Sequence, residues 1–322
     1  MFGLLFWSVV LIVSLFALVK ASDYFTESAE KIGLYFGLPV FIIGVTIVAV
    51  GTSLPELISS LISVFKGSSE IVIGNVVGSN IANIFLVLGI AAIISKKKMK
   101  LGYELIHVDL PILIGSVLLI SAMVWNGVFS TLEAILALAL FFVYVFYTVN
   151  VEKKRGKVEK EIKGEVKKIK GKRSLDKKTI LILILSSVFV YLGAHYTVES
   201  VINLSQLLNI GTEIIAISAV AFGTSLPELT VTFTAARKGK VEMAAGNVLG
   251  SNIFNALAVM GVSGLAGTLI IPKSILSFGI PMMLVASILY LFVTQDREVT
   301  KWEGWMFVIF YLFFIFSVIG VI

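Results

Sequence analysis

The 322-residue sequence contains no cysteine and only two histidines. The absence of cysteine excludes disulfides, thiol catalysis and cysteine-ligated metal sites. Charged residues are also scarce, at 14% of the chain, whereas soluble proteins carry about a quarter. This shortage of charge excludes an ordinary soluble domain.

Apolar residues make up 58% of the chain and occur in runs of about 18 or more, the length at which a helix crosses the hydrocarbon core. Spanning helices satisfy their own backbone hydrogen bonds, so these runs predict an all-α polytopic membrane protein with ten transmembrane helices. The predicted spans are residues 2–21, 38–65, 70–95, 107–124, 129–150, 179–199, 210–236, 242–271, 274–294 and 301–320.

Residues 151–178 separate the fifth and sixth spans and carry thirteen Lys and Arg against five Asp and Glu. This composition indicates a solvated linker. Lys and Arg concentrate in cytoplasmic loops, and with this linker cytoplasmic, 24 of the 26 Lys and Arg residues fall on that side. Both termini are therefore expected outside a cell membrane. The net charge of +6 lies in these loops and does not indicate nucleic-acid binding.

One sequence segment occurs twice. The seven residues GTSLPEL begin at Gly51 and recur unchanged at Gly223, an offset of 172 residues. At the same offset, the motif GN-x-x-GSNI begins at Gly74 and again at Gly246. The chain is therefore a duplicated unit.

Each half of the chain, residues 1–150 and residues 179–322, contains five predicted spans. Because five is odd, the second copy enters the membrane the opposite way up. Inverted repeats of this kind are typical of secondary transporters, which bind substrate near the middle of the membrane between the repeats. The sequence therefore predicts two inverted-topology repeats of five helices.

The first motif places a proline in mid-span in each half. Pro55 and Pro227 have no N–H and clash with the carbonyl four residues earlier, so they interrupt the helix. Interrupted backbone at this depth is tolerated only where it lines a cavity. The interruption is expected to free nearby carbonyl oxygens, among them those of Thr52 and Thr224.

Each copy of this motif also carries a glutamate, Glu56 in the first half and Glu228 in the second. A carboxylate within the membrane costs several kcal/mol unless it is paired, so two equivalent glutamates predict a cation site between the halves. Oxygen ligands with carboxylates suit a hard cation such as Ca²⁺ or Na⁺. The lack of Cys and His in the motifs disfavours zinc and copper.

The second motif begins the next span in each half. Small residues four apart predict close helix approach: Gly74 with Gly78, and Gly246 with Gly250. Asn75 and Asn247 lie on a separate helical face, and both interhelical hydrogen bonding and ion ligation stay open for them. Asn80 and Asn252 are expected to be packing amides. Four side chains are predicted to add neutral oxygen ligands: Ser79, Asn83, Ser251 and Asn255.

These motifs resemble the two α-repeats of the cation/calcium exchanger superfamily, which includes sodium/calcium exchangers, over residues 39–83 and 211–255. The resemblance implies ten helices and Ca²⁺/Na⁺ exchange by alternating access, with the first span of each half sliding as a gate. It implies a Ca²⁺ site formed by Glu56, Glu228 and the carbonyls of Thr52 and Thr224. It implies flanking Na⁺ sites formed by Ala49, Ser53 and Ser79 in one half and by Ala221, Ser225 and Ser251 in the other.

Asn255 departs from the pattern of many sodium/calcium exchangers, which carry Asp at this position. Here both copies end in asparagine, as in some prokaryotic members, which leaves the identity and number of counter-ions open. Gly78 and Gly250 stand where proton-coupled members usually carry a different motif with Glu, and this favours Na⁺.

Other functions are alternatives to Na⁺/Ca²⁺ exchange. The nearest is a Ca²⁺/H⁺ antiporter in which Glu56 and Glu228 take up protons, and a cation channel is more distant. No nucleophile pair or other enzyme active site is evident, so an enzyme is not expected. Nor is a cofactor or an obligate protein partner expected, and the predicted partners are the transported ions and the lipid bilayer.

Overall fold

The computed structural model of the protein describes residues 2–35, 49–95, 99–100, 108–163, 176–239 and 241–320. Within these ranges the regular structure is helical except for four two-residue strands, which confirms the all-α prediction. The first-half helices are α1 (Phe2–Tyr35), α2 (Ala49–Thr52), α3 (Leu54–Phe65), α4 (Glu70–Ile81), α5 (Gly89–Ile94), α6 (Leu110–Met123) and α7 (Thr131–Lys163). The second-half helices are α8 (Lys177–Leu208), α9 (Thr212–Ile215), α10 (Ala221–Thr224), α11 (Leu226–Arg237), α12 (Val241–Ile253), α13 (Met260–Ala266), α14 (Ile280–Val293) and α15 (Lys301–Val318).

Shorter elements connect these helices. A 3₁₀ turn, Val124–Asn126, follows α6. The π-helical segments of the described residues include π1 (Ala82–Leu88), π2 (Ala216–Val220), π3 (Phe254–Val259) and π4 (Ile275–Gly279). The strands are β1 (Met99–Lys100), β2 (Val128–Phe129), β3 (Leu269–Ile270) and β4 (Glu298–Val299).

Seven of the described helical segments are long and apolar enough to cross a membrane, and an eighth is formed by two helices that meet at a 41° bend. Two further apolar helices are shorter, Leu54–Phe65 and Leu110–Asn126. The protein is therefore a multi-pass membrane protein. The seven segments are Gly3–Ser28, Glu70–Ile94, Thr131–Thr148, Lys177–Leu208, Met243–Ala266, Ile275–Val293 and Lys301–Val318.

Some helix ends differ from the predicted spans. α1 continues to Tyr35 and α8 to Leu208, well beyond the predicted ends at 21 and 199. α7 continues to Lys163, into the predicted linker. The first part of the predicted second span, residues 38–48, and residues 164–175 of the linker lie outside the described residues.

The centre of the protein is formed by α4 and α12 with the segments that follow them. In the spans of α4 and α12, 78% and 83% of the most apolar stretch is buried inside the protein. The corresponding shares are 33% for the span of α1 and 11% for that of α7. The two duplicated GN-x-x-GSNI motifs therefore lie in the core, while the outer helices present apolar side chains to the lipid.

Helices α1 and α8 pack closely against one another. The hydroxyl of Thr197 donates a hydrogen bond to the hydroxyl of Ser14 at 3.0 Å. A Cβ atom at Gly193 would lie 2.8 Å from the Cα of Leu18, so only glycine permits this approach.

Two short antiparallel strand pairs join the halves of the chain. Strand β1 pairs with β4, with Met99 opposite Val299. Strand β2 pairs with β3, with Phe129 opposite Leu269. Each pair takes one strand from each half.

Candidate cation site

Both copies of the proline motif interrupt a helix, as the sequence predicts. The interruption falls at Ser53, with φ −93° and ψ 14°, and at Ser225, with φ −80° and ψ 4°. The prolines stand at the start of α3 and α11, where their missing N–H removes a donor from the ladder. The helices resume when Leu57 and Leu229 donate backbone hydrogen bonds to the carbonyls of Ser53 and Ser225, at 3.2 Å and 3.0 Å.

The interruption places a fully buried glutamate in the first turn of each following helix. Glu56 lies in the first turn of α3 and Glu228 in that of α11. The N-terminal end of a helix dipole favours a negative charge. Both helix N-termini thus favour a negative charge on a buried carboxyl group.

Three serine hydroxyls donate to these carboxylates, and each carboxylate keeps one oxygen without a partner. Ser79 donates to Oε1 of Glu56 at 3.4 Å, and Ser251 donates to Oε1 of Glu228 at 3.3 Å. Ser53, from the first half, also donates to Oε1 of Glu228, at 2.9 Å. Within the described residues, Oε2 of both glutamates has no hydrogen-bond partner.

The two threonines of the motifs cross between the halves in the same way. The side chain of Thr224 lies near the carboxylate of Glu56, and that of Thr52 lies near the carboxylate of Glu228. The two carboxylates are also close enough to interact electrostatically. Two like charges in a buried site repel one another, and a cation bound between or beside them would compensate this repulsion.

Unpartnered polar atoms concentrate in the predicted ligands. Asn83 and Asn255 are the second residues of π1 and π3, and π-helical turns are frequent at functional sites. Eleven buried side-chain atoms lack a partner in the described residues, and six of them belong to five predicted ligands. Such atoms are costly and call for a water or an ion. The five residues are Glu56, Glu228, Asn83, Asn255 and Ser225.

The alanines of the predicted Na⁺ sites lie about one turn before the interruptions. Ala49 belongs to α2 and Ala221 to α10. The carbonyl of Ala221 accepts the N–H of Ser225 at 3.1 Å. The Thr224 hydroxyl also lies within hydrogen-bond distance of this carbonyl, at 3.4 Å.

Asn75 and Asn247 form the interhelical hydrogen bonds that were one of their two alternatives. Asn75 accepts a hydrogen bond from the Thr224 hydroxyl at 3.3 Å and donates to Ser59 at 3.5 Å. Asn247 donates to Thr232 at 3.0 Å. These bonds tie the second motif of each half to the broken helices.

Sequence reasoning missed the role of Asn80 and Asn252, which were expected only to pack. Each donates a hydrogen bond to the backbone carbonyl of the other, at 3.3 Å and 3.4 Å, so they join the two halves. Their equivalent positions in the two motifs were a signal that could have paired them.

The predicted close approach is found at Gly74 and Gly78 but not at Gly250. Added Cβ atoms would lie 2.9 Å from the Cβ of Ala216 at Gly74, and 2.6 Å from the Cβ of Ala221 at Gly78. The prediction is wrong for Gly250, where an added Cβ would meet no described heavy atom within 4 Å. The reason is that α4 packs directly against π2 and α10, whereas α12 is partly exposed at Gly250.

The family model described as sodium/calcium exchanger protein matches residues 6–150 and 178–320 of this chain. The chain belongs to this family. The family predicted from the duplicated motifs is therefore confirmed.

Individual relatives in the family are similar over nearly the whole chain. Sodium/calcium exchanger MaX1 of Methanosarcina acetivorans is 38% identical, over 95% of this chain and 96% of the relative. Membrane protein MJ0091 of Methanocaldococcus jannaschii is 32% identical over the same shares of both chains. A structure of the sodium-calcium exchanger NCX_Mj, soaked with Na⁺ and Sr²⁺, is 29% identical with a TM-score of 0.65, covering 98% of this chain and 99% of that one.

Proposed function

We propose that the protein exchanges Ca²⁺ for Na⁺ across the membrane as a secondary antiporter that works by alternating access. The observation that carries this proposal is a pair of fully buried glutamates, one from each half, each with an unpartnered oxygen. Their combined charge of −2 is balanced by one Ca²⁺ or by two Na⁺. MaX1 and NCX_Mj, which resemble the chain along its whole length, are sodium/calcium exchangers.

The proposed Ca²⁺ ligands are the carboxylates of Glu56 and Glu228 with the backbone carbonyls of Thr52 and Thr224. Asn83 and Asn255 supply neutral oxygens beside them. Carboxylate and carbonyl oxygens in a flexible arrangement are what Ca²⁺ requires. The proposed Na⁺ ligands flank this set in the two halves: Ala49, Ser53 and Ser79, and Ala221, Ser225 and Ser251.

The proposed architecture is ten spans in two inverted repeats, residues 1–150 and 179–322. The seven long spans and the bent pair, with two shorter apolar helices beside them, support this number. Pseudo-twofold relations support it. An offset of 170 residues relates β1 to β3 and β2 to β4, so the two strand pairs are equivalent. The segments π1 and π3 begin at the offset of 172.

In the proposed topology, the basic linker of residues 151–178 is cytoplasmic and both termini lie outside the cell. The support is the segregation of Lys and Arg, 24 against 2, and the preference of these residues for cytoplasmic loops. The proposed role is that of a transporter in the cell membrane, with the transported ions and the bilayer as its partners.

Transport in proteoliposomes tests this function. Vesicles loaded with Na⁺ and diluted into Na⁺-free medium should take up Ca²⁺, and collapsing the Na⁺ gradient should stop the uptake. Vesicles with K⁺ in place of Na⁺ are the control. Uptake driven by a pH gradient without Na⁺ would instead establish proton exchange, and uptake without any counter-gradient would establish a channel.

A further inference from the structure

A cluster of four asparagines lies at the centre of the protein, where α4 meets α12. Asn80 and Asn252 hold each other's backbone carbonyls, and both side chains are fully buried. Three residues after each of them, Asn83 and Asn255 are the second residues of the π-helical segments π1 and π3. The four residues form two equivalent pairs related by the offset of 172.

Asn252 makes a further hydrogen bond that reaches the candidate ion ligand of the opposite half. Its Oδ1 accepts the Nδ2 of Asn83 at 3.0 Å. An asparagine amide donates at one end and accepts at the other. With its NH₂ end committed to Asn252, Asn83 keeps its oxygen for another partner, and this oxygen is buried and unpartnered among the described residues.

The equivalent bond in the other pair is not made. Both amide atoms of Asn255 lack a hydrogen-bond partner in the described residues, and so does Oδ1 of Asn80, the acceptor equivalent to that of Asn252. The structure therefore contains one anchored and one unanchored copy of the same arrangement. The bond between Asn83 and Asn252 is a specific contact and does not follow from packing of the motif alone.

The two ends of an amide differ in what they offer to a cation. The oxygen is a ligand for Ca²⁺ or Na⁺, whereas the NH₂ group presents positive hydrogens. An amide that rotates about its last bond exchanges these ends at almost no change in shape. A hydrogen bond to the NH₂ end is thus what decides which end faces the ion.

We infer that Asn252 is a positioning residue that fixes the oxygen of Asn83 toward the transported cation. The inference rests on the proposed function, in which Asn83 is an ion ligand. Asn252 itself uses both amide atoms on protein groups, its Nδ2 on the Asn80 carbonyl and its Oδ1 on Asn83, so it acts through Asn83.

A double-mutant cycle tests this inference. Asn252→Leu removes the acceptor at similar side-chain volume. Asn83→Asp gives residue 83 two equivalent oxygens, so rotation no longer changes what it offers and the anchor becomes unnecessary. Dissociation constants for Na⁺ and Ca²⁺ are measured by calorimetry on the purified protein. The effect of Asn252→Leu is determined twice, once with Asn at residue 83 and once with Asp there.

The expected result is strong non-additivity. Asn252→Leu should raise the dissociation constant of the ion held by Asn83 roughly tenfold when residue 83 is Asn, and by less than about threefold when it is Asp. The same fold-change in both backgrounds would mean that Asn252 only packs, and would overturn the inference.

Two controls make the result unambiguous. Each variant must elute as a monodisperse species, and the cycle is repeated with Asn252→Ala, so that a folding failure of one substitution leaves the other. Parent protein that binds neither ion would refute the proposed function itself. Parent protein that binds both ions with an additive cycle would refute only the positioning role.

Discussion

Ser53 donates a hydrogen bond to the carboxylate of Glu228 at 2.9 Å, although the two residues are 175 positions apart in the sequence. The serine stands at the helix interruption of the first half, and the glutamate begins α11 in the second. One half therefore holds the acid of the other in place. A site built in this way exists only while the two halves are docked.

Removing this hydroxyl should weaken ion binding. A hydrogen bond to a charged group contributes about 1.5–3 kcal/mol, so Ser53→Ala should raise the ion concentration for half-maximal exchange roughly tenfold or more. Ser63→Ala is the matched control, because Ser63 is also fully buried on α3 but donates only to the backbone carbonyl of Ser59 at 2.8 Å. Equal effects of the two substitutions in a flux assay would contradict the assigned contact.

The glutamates themselves should be indispensable for Ca²⁺ transport. Glu56→Gln or Glu228→Gln removes half of the negative charge that balances Ca²⁺ in a buried site, so Ca²⁺ flux should fall to background while the protein stays monodisperse. Glu213→Gln is the control, because that carboxylate accepts a hydrogen bond from Ser274 at 2.9 Å, outside the site. Near-normal Ca²⁺ flux through Glu228→Gln would disprove the site.

The two equivalent glycines should respond differently to the same substitution. Gly78→Ala forces a methyl group against the carbonyl of Ile217 and the Cβ of Ala221, and overpacking of this kind costs about 1–3 kcal/mol. Gly250→Ala meets no described atom within 4 Å and should be tolerated. Thermal unfolding of both variants in detergent provides the measurement, and a lower Tm for Gly250→Ala than for Gly78→Ala would be the contrary result.

Single cysteines can establish the topology, because the chain has no native cysteine to interfere. A cysteine at Ser174, in the linker, should react with a membrane-impermeant maleimide only after the cell interior is made accessible. A cysteine at Ser68, between α3 and α4, should react in intact cells. Labelling of the linker position from outside would reverse the proposed orientation.

The charge of the site should limit the number of Na⁺ ions. Glu56 and Glu228 carry −2 when ionised, which two Na⁺ neutralise, and Asn255 cannot ionise to balance a third. Uncompensated charge in a poorly solvated site is costly, so exchange is expected near two Na⁺ per Ca²⁺, with little net charge movement. Asn255→Asp should strengthen Na⁺ dependence and make flux more electrogenic. The measurement is Na⁺-driven Ca²⁺ flux in liposomes clamped at different membrane potentials. A Na⁺ Hill coefficient near three, with strong voltage dependence in the unmodified protein, would contradict this expectation.

The sequence predicts the local features of the site because they depend on neighbouring residues. Proline position alone predicts that both helices are interrupted near Pro55 and Pro227, and the motif repeat predicts that the two glutamates are equivalent. The ends of helices were harder to predict, because the hydropathy of the sequence falls after Lys20 although α1 continues to Tyr35. Ion pairs of Lys20 with Asp23 and of Lys31 with Glu27 stabilise this polar continuation of α1.

What the sequence could not predict is the difference between the two equivalent motifs. Gly78 is closely packed and Gly250 is not, and Asn83 is anchored while Asn255 is not. These differences depend on how the halves dock in one conformation. A repeat that encodes both copies alike carries no information about which copy is engaged.

The close packing of α1 against α8 has a consequence for energy conversion. The backbone at Gly193 touches that of Leu18, and the Ser14–Thr197 hydrogen bond lies in the same interface, so separating these helices would leave polar groups exposed to lipid. We therefore expect α1 and α8, the first helices of the two halves, to move together as one unit. In the proposed exchange, a movement of this pair that uncovers the ions on one side would cover them on the other. Na⁺ could then not leak down its gradient, because the two sides would never be open at the same time.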